Sequence, residues 1–221
     1  MLLGRFKKVV VLVILISSIS FAQKIRGFGG VDGFLNRSFD QSGFAAINVG
    51  AEYKINDFFK PEVKLGYFLA ALQDRTSVDS NGLETELLVR TATAFNIGII
   101  TKINFGDEDD TVHFQILPIY NYVNVIAKGS QFTLNAAKTD LIKTAANKFV
   151  DKRHSVGFGI GVLFDLSDET FQSIAINLLY NNVDIGNALT SLNYSNRTFR
   201  TDQSLGLGIK FYFGFVRKKT K

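Results

Sequence analysis

Residues 45–55 read AAINVGAEYKI, and this stretch decides the fold. Its odd-numbered positions are apolar or aromatic, whereas the even-numbered positions between them are small or polar. Successive side chains of a β-strand point to opposite faces, whereas an α-helix repeats every 3.6 residues. The alternation therefore predicts a β-strand with one apolar face and one small or polar face.

The same alternation recurs along the chain. It predicts strands over residues 24–37, 45–55, 63–71, 89–105, 112–122, 156–166, 174–180 and 205–215. The first of these is the weakest pattern, because it is rich in glycine, a poor strand former. Tight turns are expected at Asn56, Gly106 and Ser167, and long connections at residues 74–82, 130–152 and 186–201. Within residues 130–152 the apolar positions favour a loop with helical character.

An even number of strands joined alternately by short turns and long loops is typical of bacterial transmembrane barrels. We therefore predict an all-β fold, an eight-stranded antiparallel up-and-down transmembrane β-barrel that occupies residues 23–221 as one domain. The alternatives are a soluble lipocalin-like barrel and a β-sandwich, in which the polar face meets water. Here the second face is mostly Gly, Ala, Ser and Asn, which suits a narrow barrel interior better than a solvated surface.

The N-terminus has the pattern of a cleaved secretory signal peptide over residues 1–22. Arg5, Lys7 and Lys8 precede an apolar run at residues 9–16, and Ser20 and Ala22 fit a cleavage site before Gln23. The apolar run is too short to span a bilayer as a helix. We expect export to the cell outer membrane of a Gram-negative bacterium.

Composition excludes other classes of protein. The chain has no cysteine, so disulfides do not stabilise it. Of its 25 basic residues three lie in the signal, which leaves 22 against 20 acidic residues and a net charge of +2. This balance gives no indication of nucleic-acid binding. Hydrophobic residues make up 46 %, yet no other stretch is long and solidly apolar, which argues against a helical membrane protein.

The closing segment Gly206-Leu207-Gly208-Ile209-Lys210-Phe211-Tyr212-Phe213 resembles the assembly signal of outer-membrane proteins, through Gly208, Phe211 and Phe213. Gly206 stands where that signal has a polar residue. Over residues 24–215 the layout resembles the small eight-stranded outer-membrane barrels of the OmpA-transmembrane, OmpX and PorT-like types. The resemblance implies insertion by the barrel-assembly machinery. It implies no particular activity, because fold does not fix function.

The predicted inward face carries a set of charged side chains: Glu52, Lys54, Glu62, Lys64, Arg90, Lys102, His113, Asp165 and Lys210. Charges inside a barrel are costly unless they are paired. Two interpretations stay open, a salt-bridge network that plugs the interior and a gate that opens by exchanging partners.

We expect no enzyme, cofactor or metal site. His154 and Ser155 are adjacent, so on a strand they face opposite sides, and a His–Ser nucleophile pair is not formed. The expected role is structural or interactive. The expected contacts are outer-membrane lipid and lipopolysaccharide, and an extracellular or envelope partner through the long loops. A lipid A-modifying enzyme and a narrow pore remain the alternatives.

Overall fold

The computed structural model describes residues 25–36, 43–70, 72–106, 110–167, 172–181, 183–192, 194, 201 and 203–214. Several expectations lie outside these residues. They are the signal peptide with its cleavage before Gln23, the end of the first predicted strand at residue 37, the turn residues 107–109 and 168–171, and the chain after Gly214.

Ten strands and one short helix make up the described chain. They are β1 (Ile25–Leu35), β2 (Gly43–Tyr53), β3 (Glu62–Ala70), β4 (Arg75–Val78), β5 (Glu84–Ile100), β6 (Ile103–Phe105), β7 (Val112–Leu134), β8 (Leu141–Ser167), β9 (Gln172–Asn181), α1 (Gly186–Thr190) and β10 (Ser204–Gly214). Within the described residues, no helix is long and apolar enough to cross a membrane.

Eight of these strands close a ring. Antiparallel pairing runs through β1, β2, β3, β5, β7, β8, β9 and β10, and β10 pairs back with β1 from Arg26↔Gly214 to Leu35↔Leu205. The predicted eight-stranded up-and-down barrel is confirmed, including its glycine-rich first strand. Closure explains why β1 tolerates glycine, since it is hydrogen-bonded on both sides.

The predicted strand over residues 89–105 is interrupted between β5 and β6. Thr101 N donates to the carbonyl of Pro118 on β7 (2.9 Å), and proline has no N–H with which to complete the pair. The ladder resumes at Ile103↔Ile116.

The prediction of a helical loop over residues 130–152 is wrong. These residues complete β7, form a turn and begin β8, as one long hairpin. Asn135 closes the turn: its N–H donates to Asp140 O (2.9 Å), and its side-chain Oδ1 accepts from Thr139 N (2.9 Å). Lys138 adopts the left-handed conformation that the turn needs (φ 56°). Cross-strand pairing with β7 thus overrides the local helical pattern.

The other two long connections also contain regular structure. Residues 74–82 include β4, which pairs with β5 through a turn in which Gly82 has φ 79°. Residues 186–201 begin with α1, whose Gly186, Ala188 and Leu189 are buried. The expectation of a polar loop at residues 186–201 is therefore wrong for its first part, because apolar side chains turn into the barrel mouth.

The two faces of the barrel follow the predicted alternation. Exposed apolar side chains cover the outside, and among them Val31, Ile47, Leu65, Ile97, Ile160, Leu178 and Ile209 form a central aliphatic belt. Aromatic side chains lie above and below this belt: Tyr67, Phe95, Tyr120, Tyr122, Phe158 and Tyr180 towards the long loops, and Phe58, Phe105, Phe114, Phe164, Phe211 and Phe213 towards the short turns. Aromatic girdles on both sides of an apolar band are the exterior of a transmembrane barrel.

The girdles also match a membrane in their separation. On β7 the two bands are marked by Phe114 and Tyr122, eight residues apart. At roughly 3.4 Å per residue and a strand tilt of roughly 40°, this is about 20 Å along the membrane normal, close to the apolar band of known barrels.

Candidate functional site in the barrel interior and at the outer rim

A buried charge cluster fills the interior at the end of the barrel where the turns are short. Glu52 on β2 accepts from Arg26 Nε on β1 (2.5 Å) and from Lys102 Nζ, which lies between β5 and β6. Lys102 also reaches Glu62 Oε1 on β3 (3.3 Å). The lysine therefore bridges two carboxylates that are direct cross-strand partners on β2 and β3.

The second carboxylate is held from the other side by β10. Lys210 Nζ donates to Glu62 Oε2 and the Tyr212 hydroxyl donates to Glu62 Oε1, both at 2.6 Å. The Tyr212 ring lies 4.1 Å from Lys102 Nζ and 4.5 Å from the Arg26 guanidinium, which stabilises the excess positive charge through cation–π contacts. Each charge of this cluster thus has several partners, the condition for burying ions at tolerable cost.

The charges predicted from the sequence do not all join this cluster. Glu52, Glu62, Lys102 and Lys210 do. Three of the remaining five lie elsewhere: Lys64 is buried further along the interior, Arg90 is buried at the opposite end with its Nη2 donating to Gln73 O (3.2 Å), and Lys54 is outside.

The interior assignment of Lys54 is wrong. It follows the last residue of β2, its side chain is 39 % exposed, and it pairs with Asp57 in the turn. That hydrogen bond lowers the pKa of the Asp57 carboxyl below its usual value. The neighbouring Lys60 is more enclosed, and burial lowers its pKa to about 8. The alternation ends with the strand, so parity no longer fixes the side-chain direction beyond Tyr53.

Arg26 and Tyr212 belong to the network but were missing from the set predicted from the sequence. Both lie on the inward face of their strands, so alternation alone could have included them. The inward direction of Arg26 was hard to recognise, because the alternation in the glycine-rich β1 is weak. Tyr212 is aromatic, and its hydroxyl matters only because it ends against Glu62.

His113 and Asp165 extend the cluster without forming a catalytic triad. His113 Nε2 lies 3.2 Å from Asp165 Oδ2, and Ser173 Oγ donates to the other oxygen of the same carboxylate (2.6 Å). Arg26 Nη1 in turn donates to Ser173 Oγ (2.7 Å). The acid lies between histidine and serine, whereas a nucleophilic serine requires the histidine in the middle.

A layer of amide side chains fills the middle of the barrel. Asn48 donates to Asp32 (2.6 Å), Asn96 donates to Asn121 (2.9 Å), and Gln115 bonds Asn177. Glycines on neighbouring strands make room for them. A Cβ at Gly66 would lie 2.1 Å from Asn96 Oδ1, and one at Gly161 would lie equally close to Asn177 Oδ1. The inward glycines are therefore required by the bulk of the polar groups opposite them.

An apolar plug closes the end with the long loops. Phe34, Phe44 and Phe68 pack with ring centroids 4.9–6.0 Å apart. Five apolar side chains from α1 and its flanks complete the plug: Val183, Ile185, Ala188, Leu189 and Leu192. Polar contacts hold this segment in place, since Arg153 on β8 pairs with Asp184 (3.3 Å).

Charged, amide and apolar layers follow one another along the interior. Among the described residues, no group of three or more histidine, aspartate or glutamate side chains could hold a metal ion. Ser155 is buried in the interior, whereas His154 points outward and stacks on Tyr120.

The largest outward feature is an arm above the rim. β5, β7 and β8 continue beyond the level at which β3 and β9 end, and β4 adds a fourth strand. β8 pairs with β9 only from Gly157 onward. The part of β8 from Leu141 to Val156 is therefore paired with β7 on one side, and its other edge carries no strand in the described chain.

Solved structures with a similar shape are small outer-membrane proteins. Neisserial surface protein A matches with a TM-score of 0.44 and 12 % identity over 86 % of this chain and 96 % of its own. Ail, the attachment invasion locus protein of Yersinia pestis, matches with a TM-score of 0.43 and 9 % identity over 87 % of this chain and 97 % of its own. A major outer membrane protein of Thermus thermophilus matches with a TM-score of 0.43 and 12 % identity over 86 % of this chain and 99 % of its own.

No protein-family model matches the sequence, and the comparison with curated proteins found no match. The assignment of the fold rests on the ring itself, because these structural similarities are modest. With its closed ring of eight strands, short turns at one end and apolar exterior with two aromatic girdles, the chain has the fold of a small outer-membrane β-barrel.

Proposed function

We propose that this protein is an outer-membrane barrel with a closed interior that acts as an interaction protein through its projecting arm. The observation that carries the proposal is the length of the β7–β8 hairpin. β8 has 27 residues, whereas a membrane-crossing strand needs about 9–11. Much of this strand therefore lies above the membrane.

The arm has the dimensions of a docking element. From Val123 to the end of β7 at Leu134 there are 12 residues, which at roughly 3.4 Å per residue extend about 40 Å. The arm is a hydrogen-bonded sheet, so a partner meets a surface that is already ordered. Pre-ordered surfaces bind with a smaller entropic cost than flexible loops.

The edge of β8 suggests how a partner would be held. Residues 141–146 lie along an edge that no described strand covers, beyond the contacts that Asn147 and Arg153 make with residues 184–192. Exposed edges bind extended peptide segments by strand addition. We propose a protein with such a segment, at the cell exterior or in the envelope, as the partner of the 130–152 region. The 74–82 region, which contributes β4, lies at the opposite edge of the same sheet.

The segment at residues 186–201 contributes differently from the other two long connections. Its described part packs into the barrel mouth and braces the base of the arm, since Asn147 Nδ2 donates to Leu192 O (3.3 Å). Its proposed role is to seal the interior and orient the arm.

The packing of the interior supports the proposal that the barrel neither conducts ions nor acts as an enzyme. The plug and the charge cluster lie in series, and His113 is bonded to the wrong partner for nucleophile activation. In planar bilayers we expect at most small, rare openings, and stable porin-sized channels would contradict this expectation.

Export by cleavage before Gln23 remains a prediction, which N-terminal sequencing of the membrane-extracted protein would check.

A shortened arm tests the proposal in cells. Lys128 and Lys148 are direct cross-strand partners, so an Asn-Gly turn inserted between them closes the hairpin without a change of register. This variant is expected to fold, shown by heat-modifiable migration on gels, and to lose the adhesion or envelope phenotype as fully as a knockout does.

The neighbouring hairpin supplies the matched control. Thr76 and Leu87 are also cross-strand partners, and an Asn-Gly turn between them removes the tip of β4–β5 while leaving the β7–β8 hairpin at full length. This control is expected to keep the wild-type phenotype. Full function of the shortened-arm variant would overturn the proposed role of the hairpin.

A further inference from the structure

Three lysines lie on the outward face of the arm just above the upper aromatic girdle. Lys128 on β7 and Lys148 and Lys152 on β8 are exposed, and they share the face that carries Tyr122 and Val156 lower down. Alternation fixes this placement, because all five residues lie on the same face of the paired strands. The cluster therefore belongs to the membrane-proximal outside of the protein and not to its interior.

The arrangement of these lysines is unfavourable by itself. Lys128 and Lys148 are directly opposed across the two strands, and like charges in that position destabilise a sheet. No described carboxylate lies within ion-pair distance of any of the three. On the adjoining outward face of β5 the residue opposite Lys128 is Thr91. An anion from outside the chain is what would neutralise this face.

The heights of the lysines above the girdle indicate which anion. The Tyr120 hydroxyl bonds His154 Nδ1 (2.6 Å), and this pair lies in the aromatic girdle at the membrane surface. Lys152 is two residues above His154 and Lys148 six residues above. At roughly 3.4 Å per residue and a tilt of roughly 40°, these steps place them about 5 and about 15 Å above the girdle.

We infer that this face binds the anionic inner part of lipopolysaccharide, and the inference rests on the proposed location in the outer membrane. The phosphates of lipid A lie at the level of Lys152, and the carboxylates of the first acidic sugars lie at the level of Lys128 and Lys148. The Tyr120–His154 pair supports the base of the site. The glycolipid would hold the root of the arm upright beside the membrane.

A protective role for the lysines is the main competing explanation. Lysines on an exposed edge suppress edge-to-edge aggregation, and Lys148 and Lys152 lie on the uncovered strand β8. Lys128, however, lies on β7, which has a neighbour on each side. Edge protection gives no reason for its position, whereas an anion held between the two strands does.

The test measures lipid retention by the full-length folded protein in phosphatidylcholine nanodiscs. Kdo2-lipid A is titrated, with phosphatidylglycerol as the comparison anion, and bound lipid is counted by native mass spectrometry. The paired variant K128Q/K148Q is compared with K138Q/K143Q, which removes the same charge nearer the tip of the arm. Folding of each is checked by heat-modifiable migration.

We expect wild type and K138Q/K143Q to retain Kdo2-lipid A equally. K128Q/K148Q is expected to bind it about 30-fold more weakly, since each surface cation contributes about fivefold to binding at an anionic membrane. Unchanged binding of Kdo2-lipid A by K128Q/K148Q would overturn the inference. The inference would also fail if the wild-type protein retained phosphatidylglycerol as strongly as Kdo2-lipid A. Because this assay uses no cells and no protein partner, its failure is distinguishable from failure of the proposed interaction role.

Discussion

Lys210 on the last strand donates a 2.6 Å hydrogen bond to Glu62 on the third strand, 148 residues earlier in the chain. Two strands, β1 and β2, separate them around the ring, so the bond crosses the interior. Together with Lys102, which reaches both Glu52 and Glu62, it ties opposite walls of the barrel at the end with short turns. A gate at this point would have to break several bonds at once.

Replacing Glu62 with glutamine should destabilise the barrel strongly. The change leaves Lys102 and Lys210 without their shared carboxylate in a buried site, and breaking a buried ion pair costs about 3–5 kcal/mol. Urea-induced unfolding in lipid vesicles would measure the loss. Glu84→Gln, an exposed carboxylate at the start of β5, is the matched control and should change stability by less than about 0.5 kcal/mol. Equal stability of the two variants would show that the ion pairs of Glu62 with Lys102 and Lys210 do not stabilise the barrel.

Glycine-to-alanine changes should separate the two faces of the barrel. A Cβ at Gly66 would lie 2.1 Å from Asn96 Oδ1 and 2.6 Å from Asn48 Oδ1, whereas a Cβ at Gly33 meets nothing within 4 Å. Gly66→Ala should cost about 1–3 kcal/mol through overpacking of the amide layer. Gly33→Ala, on the lipid face, should be nearly neutral. The same unfolding assay applies, and similar costs for both variants would contradict the packing described.

Charge on the apolar belt should impair insertion. Ile160 is outward-facing and 48 % exposed, in the part of β8 that pairs with β9 and within the central aliphatic belt. Ile160→Arg places a cation near the bilayer midplane, at a cost of about 2–4 kcal/mol. Folding yield into vesicles, read from heat-modifiable migration, is the measurement, and Ile160→Leu is the conservative control. Wild-type folding of Ile160→Arg would show that this face does not meet lipid.

The chain has no cysteine, so single cysteines can report topology. Ala137 lies in the exposed turn of the arm, and Asp57 lies in the exposed turn at the opposite end of the barrel. On intact cells a membrane-impermeant maleimide should label Ala137→Cys, and it should label Asp57→Cys only after permeabilisation. Labelling of both on intact cells would contradict a membrane-spanning orientation. Labelling of Asp57→Cys alone would show that the barrel is inserted the other way round.

The strand alternation determined the fold because a barrel wall has two chemically different sides. Each of the eight ring strands could be placed from the period-two pattern, and so could the facing of residues such as Ile160 and Gly66. That pattern is local: it depends only on which neighbours along the chain are apolar. An even number of strands allows the last strand to pair antiparallel with the first. The ring closes because an open sheet edge would leave unpaired backbone groups in lipid.

The interior pairing and the arm were decided by tertiary structure. Nothing in the order of residues says that Glu62 meets Lys210 and Tyr212, because that contact depends on strand stagger and on which side chains span the interior. Residues 130–152 carried a helix-like pattern, yet pairing with the first half of the hairpin provides a hydrogen-bond ladder that a lone amphipathic helix lacks. Local pattern fixes the direction of a side chain, whereas contacts across the barrel and the length of a hairpin depend on partners that only the folded chain supplies.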